Sequence, residues 1–394
     1  MTVSLPATSD YDGQIALYIH WPFCERKCPY CDFNSHVRDT VDTELWTKAL
    51  CSELDYFLKL QPGATVSSIF FGGGTPSLMP PETVAHLIDH VFKRCKTEPD
   101  LEITLEANPS SVEANRFRAY RSAGVNRLSV GIQSLRDDAL QFLGRLHSVD
   151  EAKKALQVAR DNFERVSFDL IYARPEMTLE SWQAELAEAL TYDPDHLSLY
   201  QLTIEEGTAF YHQFARGKYK LPDDDICVDL FNLTQDMTTR AGLPAYEVSN
   251  HARAGQQSRH NLAYWSGLPY YGIGPGAHGR LVSKNNMYLA HQQIRRPEDW
   301  VQKVDQYGHG TESTVSLDPV DRFTEQVMMG LRLMDGINIR AKATTLGISA
   351  KDHIDFTKID DLITDGFMQQ DQDMLKFTPK GLPVMNFILP SLFL

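Results

Sequence analysis

The sequence predicts an α/β protein, in which a partial, six-stranded parallel β/α barrel is followed by an α-rich, winged-helix-like C-terminal domain. Three observations predict this fold class. Apolar, β-branched segments alternate with segments of helical periodicity as far as Leu202, the alternation fades beyond that residue, and residues 320–394 are rich in helical patterns. A repeated strand–helix–strand order implies parallel strands joined by right-handed crossovers.

The predicted elements follow one another in that order. Short apolar segments rich in β-branched residues predict strands over residues 15–20, 66–71, 102–107, 127–132, 165–172 and 196–202. Helical periodicity predicts helices over residues 42–59, 81–93, 111–123, 149–162 and 179–191. In the C-terminal region helices are expected over residues 324–334 and 359–365, with a turn at Gly366 and a closing helix from Pro379.

These elements divide the chain into three predicted segments. Residues 1–210 form the partial barrel, and residues 311–394 form the C-terminal domain. Residues 211–310, which are rich in aromatic residues, glycine and histidine, are predicted to be an irregular connecting region.

Composition and charge limit the classes of function. The chain has 394 residues, of which 42% are hydrophobic and 23% charged, and a formal net charge of −14. Duplex nucleic acid is therefore not expected as its main partner, because phosphate binding needs a basic surface. No apolar segment reaches the roughly 20 residues that span a bilayer, and the N-terminus lacks the pattern of a secretory signal. We expect a cytoplasmic protein without a transmembrane segment, for which transient membrane association stays open.

Three cysteines follow the first predicted strand with the spacing C-x3-C-x2-C, at Cys24, Cys28 and Cys31. Thiolates are the usual ligands of a [4Fe–4S] cluster, and three of them leave one iron open. That position suits the amine and carboxylate of S-adenosylmethionine (SAM). A Cys3His zinc site with His20 or His36 is the alternative. The remaining cysteines, Cys51, Cys95 and Cys227, are interpreted as small buried or incidental thiols.

Polar or glycine residues stand at the carboxyl end of every predicted strand after the first. The second ends in Gly72-Gly73-Gly74-Thr75, and the others deliver Glu106, Gln133, Asp169 and Tyr200-Gln201. The carboxyl ends of parallel strands meet at one edge of the barrel, where β/α barrels hold their active sites. Arg145 could bind a carboxylate there with its planar guanidinium. Each of these residues alone could equally be a buried, hydrogen-bonded polar group.

Together these motifs resemble the radical SAM proteins of the oxygen-independent coproporphyrinogen III oxidase group, over nearly the whole chain. The resemblance implies a barrel of radical SAM type with a [4Fe–4S] cluster on Cys24, Cys28 and Cys31. It also implies a set of SAM-binding residues: Tyr18, Tyr30, Phe33, Gly73, Gly74, Thr75, Glu106, Gln133, Arg145 and Asp169.

Two departures favour the HemW-type haem chaperone branch of that group. The oxidases carry a further cysteine two residues after the third cluster ligand, and Phe33 stands at that position here. They also carry a longer segment before the first strand. The resemblance therefore implies a protein that binds haem and passes it to an unidentified acceptor. A radical SAM enzyme acting on a tetrapyrrole is the alternative, and a zinc-stabilised binding protein is a third.

A further segment, His260-Asn-Leu-Ala-Tyr264-Trp265, matches the HNxxYW signature of the chaperone branch, which is associated with haem binding. Histidine is a common axial ligand of haem iron, and aromatic rings can pack on a porphyrin. His260 is therefore a predicted haem ligand, with a structural turn as the alternative. His251 and His278 are nearby candidates, whereas Met328, Met329 and Met334 have helical spacing and are interpreted as core residues.

Overall fold

The computed structural model describes residues 13–283, 285 and 287–394. Within this part of the chain, eleven strands form one sheet in the order β13-β12-β11-β10-β1-β4-β5-β6-β7-β8-β9. Their bounds are β1 Gln14–Trp21, β4 Thr65–Gly73, β5 Lys96–Ala107, β6 Arg127–Gln133, β7 Arg165–Tyr172, β8 His196–Gln201, β9 Asn250–Ala252, β10 Tyr270–Ile273, β11 His278–Val282, β12 Tyr288–Gln293 and β13 Thr311–Leu317. Two short strands, β2 Phe23–Cys24 and β3 His36–Val37, pair separately, as do β14 Met368–Asp371 and β15 Met374–Phe377.

Helices connect the strands and cover the sheet. They are α1 Thr43–Leu60, α2 Pro81–Arg94, α3 Ser111–Ala114, α4 Phe117–Ser122, α5 Asp137–Phe142, α6 Val149–Asn162, α7 Leu179–Thr191, α8 Ala209–Ala215, α9 Asp224–Arg240, α10 Arg259–Trp265, α11 Pro297–Tyr307, α12 Pro319–Gly330, α13 Ile339–Thr345, α14 Phe356–Thr364 and α15 Met385–Ile388. Strong N-terminal signals fix two of the predicted bounds. Ser148 and Glu151 form a capping box before α6, and Thr178 and Ser181 form one before α7, which satisfies backbone amides that the first turn leaves free.

The six predicted strands are confirmed, and each pairs in parallel with the next. Side chains alternate between two environments along them. Leu17 lies beside Ile69, which lies beside Ile103, and this row is buried against the helices. The neighbouring pair, Tyr18 and Phe70, lies on the opposite face of the sheet, where both rings contact His260. The sheet is not closed, because β13 and β9 lie at its two edges.

The prediction that residues 211–310 are irregular is wrong. This segment contains the 17-residue helix α9 and strand β10, which pairs in parallel with β1. Strands β11 and β12 then continue the sheet in antiparallel order. These strands were not predicted because they are only 4 to 6 residues long and contain glycine and polar residues. Their apolar pattern therefore covers too few positions to identify a strand. The boundaries of the three segments stay a prediction.

The predicted α-rich C-terminal domain is confirmed. Helices α12 to α14 are followed by the hairpin β14–β15, and their apolar side chains, including Phe323, Ile354 and Leu392, form a hydrophobic cluster of their own. Helix α12 begins at Pro319, earlier than predicted, because Asp318 caps it, and it ends at Gly330. The predicted helix over residues 111–123 is divided into α3 and α4.

Among the described residues, none of the helices has both the length and the apolar character that crossing a membrane requires.

Candidate functional site

A cavity of about 890 Å³ opens at the carboxyl ends of the parallel strands; we call it the strand-end cavity. All of the predicted cluster and SAM residues except Tyr18 line it. They come from the loop after β1 and from the ends of β4 to β7, together with Arg145 after α5. The volume lies in the upper part of the range for small-molecule sites, about 300–1,000 Å³. The parallel sheet thus brings together groups that are up to 145 residues apart in sequence (Cys24 and Asp169).

The segment between β1 and β3, residues 22–35, carries the three cysteines, and we call it the cysteine loop. It is held in place by contacts that could not be predicted from the sequence. Asn34 donates hydrogen bonds from its side-chain amide to the carbonyls of Pro275 (2.9 Å) and Arg295 (2.8 Å). Its own carbonyl accepts a bond of 2.9 Å from His20 Nε2, and His20 Nδ1 accepts one of 2.9 Å from the Tyr18 hydroxyl. Burial lowers the pKa of His20 to about 4. Neutral His20 therefore links the barrel interior to the loop.

Each cysteine sulfur has a hydrogen-bonding side chain close to it. The Thr75 hydroxyl lies 3.3 Å from Cys24 Sγ, and Arg145 Nη1 lies 3.5 Å from Cys28 Sγ. The hydroxyl of Ser35 lies 3.9 Å from Cys31 Sγ. Donors at these positions would stabilise negative charge on the sulfurs, which metal ligation requires.

The donor arrangement argues against the zinc alternative. In the described part of the chain, no three His, Cys, Asp or Glu side chains converge closely enough for one metal ion. A zinc site needs four donors within about 2.0–2.3 Å of the ion, yet both ring nitrogens of His20 are occupied by hydrogen bonds, and His36 Nε2 lies 3.2 Å from Asn34 Oδ1. A [4Fe–4S] cluster takes one thiolate on each iron and needs no histidine, so the three cysteines stay the predicted cluster ligands.

Gly73 and Gly74 allow the end of β4 to approach the cysteine loop. A Cβ on Gly74 would lie 2.8 Å from the Phe23 carbonyl oxygen and 3.0 Å from Cys24 Sγ. Gly73 has a φ of +113°, and a Cβ there would lie 2.7 Å from the His20 ring. A side chain at position 74 would therefore displace the cysteine loop, and one at position 73 would displace the His20 ring.

A polar network lines the cavity beside the cysteines. Gln133 donates a hydrogen bond of 3.0 Å to Asp169 Oδ2, and Arg145 Nη2 donates to Asn108 Oδ1 (2.6 Å). Gln133 has a φ of +69°, a strained conformation for a non-glycine residue that is often found at functional sites. The Nε of Arg145 and the Oδ1 of Asp169 are buried and have no partner among the described residues. Buried polar atoms are normally hydrogen-bonded, so these two atoms fit a polar ligand such as SAM.

The two carboxyl groups of this network differ in their protonation. Burial raises the pKa of Asp169 to about 6, an effect that the nearby Arg145 opposes. Burial, reinforced by the charge of Asp169, raises the pKa of Glu106 to about 8, an effect that the nearby Gly73 amide opposes. The shift is larger at Glu106 than at Asp169, so Glu106 is the carboxyl group of the pair that more readily keeps a proton and can donate a hydrogen bond.

The aromatic residues predicted for SAM differ in position. Tyr30 and Phe33 line the strand-end cavity, and Phe33 is 59% exposed at its mouth. Tyr18 lies deeper in the barrel, where it contacts His20 and stacks on Phe70 at 6.3 Å. Tyr18 does not line the cavity, and its predicted role in SAM binding stays a prediction.

His260 lies apart from the cavity. It is 2% exposed at the start of α10, stacks on Phe70 at 4.9 Å and forms a hydrogen bond of 2.9 Å with Ser68. Its Nε2 is buried and has no partner among the described residues, and burial lowers its pKa to about 3. Iron ligation by His260 stays a prediction, and in this conformation the ring is packed inside the barrel.

Sequence analysis did not identify the outer wall of the cavity. This wall is formed by α9, by residues 248–249, by Arg332 and by residues 382–387. Helix α9 contributes Cys227 and Phe231, so Cys227 lies in the cavity wall. Helical periodicity from Asp224 onward and the Asp223 cap could have revealed α9. Nothing in the local sequence could place Arg332 in the cavity, because that position depends on how the C-terminal domain packs.

Two family models match the chain. The radical SAM superfamily matches residues 18–189, from within β1 to α7, which include the cysteine loop, and the HemN C-terminal domain matches residues 317–384. The first match contains the predicted cluster and SAM residues, and the second contains Arg332 of the outer wall.

Similar proteins extend over almost the whole chain. The heme chaperone HemW of Escherichia coli is 37% identical over 96% of this chain and 98% of its own length. The mitochondrial radical S-adenosyl methionine domain-containing protein 1 of Mus musculus is 38% identical over 98% of this chain and 89% of its own length. The HemW protein of Bacillus subtilis is 31% identical over 92% and 95%.

Among solved structures, the radical SAM enzyme coproporphyrinogen III oxidase (HemN) of Escherichia coli superposes with a TM-score of 0.80 and 22% identity. The match covers 98% of this chain and 91% of that one, and it shows that the two share a fold. With the cysteine loop, the cavity and these relatives taken together, the chain belongs to the radical SAM superfamily, in the family of the HemW heme chaperones and the mitochondrial radical S-adenosyl methionine domain-containing protein 1.

Proposed function

We propose that this protein is a haem chaperone, which binds haem and transfers it to an acceptor protein. The observation that carries the proposal is its similarity to proteins named heme chaperone HemW over 96% of the chain. Phe33 supports the same branch, because the related oxidases have cysteine at that position.

Membership of the superfamily implies a [4Fe–4S] cluster and SAM, and the residues of the cavity fit both. Cys24, Cys28 and Cys31 would bind three irons, with Thr75 and Arg145 donating hydrogen bonds to the sulfurs. A reduced cluster held by these cysteines would be able to supply one electron to the sulfonium of a SAM molecule bound beside it.

The strand-end polar groups would then orient the SAM molecule. Asp169 and the Nε of Arg145 have hydrogen-bonding capacity that no described residue uses. An ionised Asp169 would accept hydrogen bonds from hydroxyl or ammonium groups, whereas a protonated Glu106 would donate one. The burial of these groups excludes water and strengthens each contact.

The haem acceptor is not identified by these observations, and duplex nucleic acid is not proposed as a partner. The relatives include bacterial proteins and mitochondrial ones. A cytoplasmic location for this protein therefore stays a prediction.

Haemin titration of the anaerobically reconstituted protein tests the proposal. We expect a saturable Soret shift with about one haem per chain, followed by transfer of that haem to an added apo-globin. Absence of saturable binding, or binding without transfer, would contradict the proposed function. Formation of 5′-deoxyadenosine together with decarboxylation of coproporphyrinogen would instead assign the enzymatic alternative.

Replacement of His260 by alanine tests the predicted iron ligand. The matched control is His291→Ala, because His291 is also buried (2% exposed), lies outside the cavity and is not a candidate ligand. If His260 binds the iron, His260→Ala changes the Soret spectrum of bound haem and His291→Ala leaves it unchanged. If the two variants give the same Soret spectrum, His260 is not the iron ligand, and the proposal that the protein binds haem still stands.

A further inference from the structure

The strand-end cavity extends well beyond the part that cluster and SAM residues line. Its outer wall carries apolar side chains, including Phe231 of α9 and Val384 and Phe387 of the C-terminal domain. Phe387 is 86% exposed and Val384 is 38% exposed, and Phe33 faces the same mouth from the cysteine loop. Large exposed apolar side chains grouped at a cavity are typical of a surface that binds a ligand.

Arg332 is a half-buried cation in this apolar wall. Its Nη2 donates a hydrogen bond of 2.9 Å to Asn386 Oδ1, and its guanidinium lies 5.6 Å from the centre of the Trp265 ring. Burial lowers its pKa, and the negative charge of Glu247 partly opposes that effect. No carboxylate among the described residues forms an ion pair with it, although the half-buried arginines Arg165 and Arg280 each have such a partner.

The arrangement of Arg332 favours an incoming carboxylate. Asn386 and Trp265 restrict the side chain, and a guanidinium binds a carboxylate through two parallel hydrogen bonds. The exposed side chains of Arg26 and Lys27 line the cavity and add positive charge, whereas Glu205 and Asp224 add negative charge at its outer edge. Arg332 is thus distinguished from the other outer-wall charges by its partial burial, which strengthens its attraction for an anion.

The ligand that matches this wall has a flat apolar body and carries carboxylates. SAM does not match, because its body is polar and its carboxylate belongs at the open iron beside the cysteines. Haem matches, because its macrocycle is apolar and its two propionates are anionic.

We infer that Arg332 binds a propionate of haem while Phe387 and Val384 pack against the macrocycle, which places the haem in the outer part of the strand-end cavity. The inference rests on the proposed haem-chaperone function and adds the position of the haem. His260 does not line this cavity, so a Soret change that depends on His260 would overturn this position of the haem and leave the proposed function intact.

Two haem analogues test the carboxylate contact: haemin and its dimethyl ester, in which both propionates are uncharged. We expect Arg332→Ala to weaken haemin binding by about tenfold or more and to change the affinity for the ester by less than about threefold. Arg340→Ala is the matched control, because Arg340 also stacks on an aromatic ring (4.4 Å from the Phe356 centroid) in the C-terminal domain but lies outside the cavity. The iron content and the SAM binding of the variants should equal those of the wild type.

Phe387→Ala provides an independent test of the apolar contact, since a side chain that is 86% exposed can be removed without unfolding the domain. We expect it to weaken haemin and ester equally, whereas Phe92→Ala, a change at another exposed phenylalanine (51%) on α2, should weaken neither.

The results separate this inference from the proposed function. Wild-type protein that binds no haem would overturn both. Suppose that the wild type binds haem. If Arg332→Ala then binds haemin as tightly as the wild type does, or loses affinity equally for both analogues, the propionate contact alone is overturned. A variant that keeps haemin affinity but loses SAM would assign Arg332 to the SAM site and would also overturn it.

Discussion

Arg145 Nη1 lies 3.5 Å from Cys28 Sγ, although 117 positions separate the two residues in sequence. The Nη2 atom of the same guanidinium donates to Asn108 Oδ1 at 2.6 Å and to the Gly131 carbonyl at 2.9 Å. One side chain therefore joins the cysteine loop to the ends of β5 and β6, and its charge lies beside the buried Asp169. Arg145 connects the cluster part of the site to the part that would hold SAM.

Replacing Arg145 by methionine should weaken SAM binding by about tenfold or more, because it removes a charged donor and leaves Asp169 buried without its cation. Equilibrium dialysis of labelled SAM against the anaerobic protein measures this. The iron content should fall much less than in the cysteine variants, since the three thiols remain and only one donor to Cys28 Sγ is lost. Arg136→Met, which breaks the ion pair with Glu188 outside the cavity, should leave SAM affinity unchanged. Equal affinities for the wild type and Arg145→Met would disprove the assignment.

Gly74→Ala should reduce cluster incorporation. The added Cβ would lie 2.8 Å from the Phe23 carbonyl oxygen and 3.0 Å from Cys24 Sγ, so the cysteine loop must move. We expect the iron content to fall by at least about half, which chemical iron and sulfide analysis measures. Gly63→Ala is the control, because its φ of +86° makes alanine strained while no atom lies within 4 Å of the added Cβ. If both variants lose iron to the same extent, general destabilisation and not contact with the loop is the cause.

Single replacement of Cys24, Cys28 or Cys31 by alanine should remove most of the bound iron, because each thiolate would bind a separate iron of the cluster. Cys51→Ala, a change at a buried thiol on α1 away from the cavity, should retain it. Elemental analysis for both iron and zinc also tests the alternative metal. If the wild type contains stoichiometric zinc and the same three replacements remove it, the site binds zinc and not a [4Fe–4S] cluster.

Glu53 is a buried carboxyl group outside the site. Its oxygens accept hydrogen bonds from the amides of Gly274 (2.8 Å) and Gly310 (2.7 Å) and from Trp300 Nε1 (3.1 Å). Burial raises its pKa to about 7, an effect that these donors oppose. Glu53 thereby ties α1 to the segments that lead into β11 and β13.

The free energy of unfolding should depend on pH through this group. Below the ordinary glutamate pKa, Glu53 is protonated in both the folded and the unfolded state, and its contribution to the free energy of unfolding is fully present. As the pH rises toward 7 the unfolded state ionises first, so stability falls by up to about 1.4 kcal/mol per pH unit. Urea unfolding between pH 5 and 8 measures the free energy of unfolding of the wild type and of Glu53→Gln. As the pH rises, the wild type should lose stability relative to Glu53→Gln. Glu44→Gln is the control, because it removes an exposed carboxylate from the same helix. Its stability relative to the wild type should change less with pH than that of Glu53→Gln. A pH-independent difference for Glu53→Gln would contradict the raised pKa.

The parallel strands and most of their helices could be predicted because their signals are local in sequence, and the three cysteines could be proposed as ligands for the same reason. Short, largely apolar segments identify β1 and β7 within eight positions each, and the C-x3-C-x2-C spacing lies within one loop. The parallel order then requires that groups at the carboxyl ends of the strands, such as Glu106 and Asp169, face one cavity.

Other features depend on segments that are far apart in sequence and come together only through packing. Asn34 holds the cysteine loop through carbonyls about 240 to 260 positions away, and Arg332 reaches the cavity because the C-terminal domain packs over the strand ends. The protonation of Glu106 and Asp169 likewise follows from burial, which no residue type or spacing specifies. The sequence by itself determined the chemistry available at the strand ends. Only the tertiary structure decided which groups contact the cysteines, which lie buried and which form the outer wall, because those properties depend on long-range contacts.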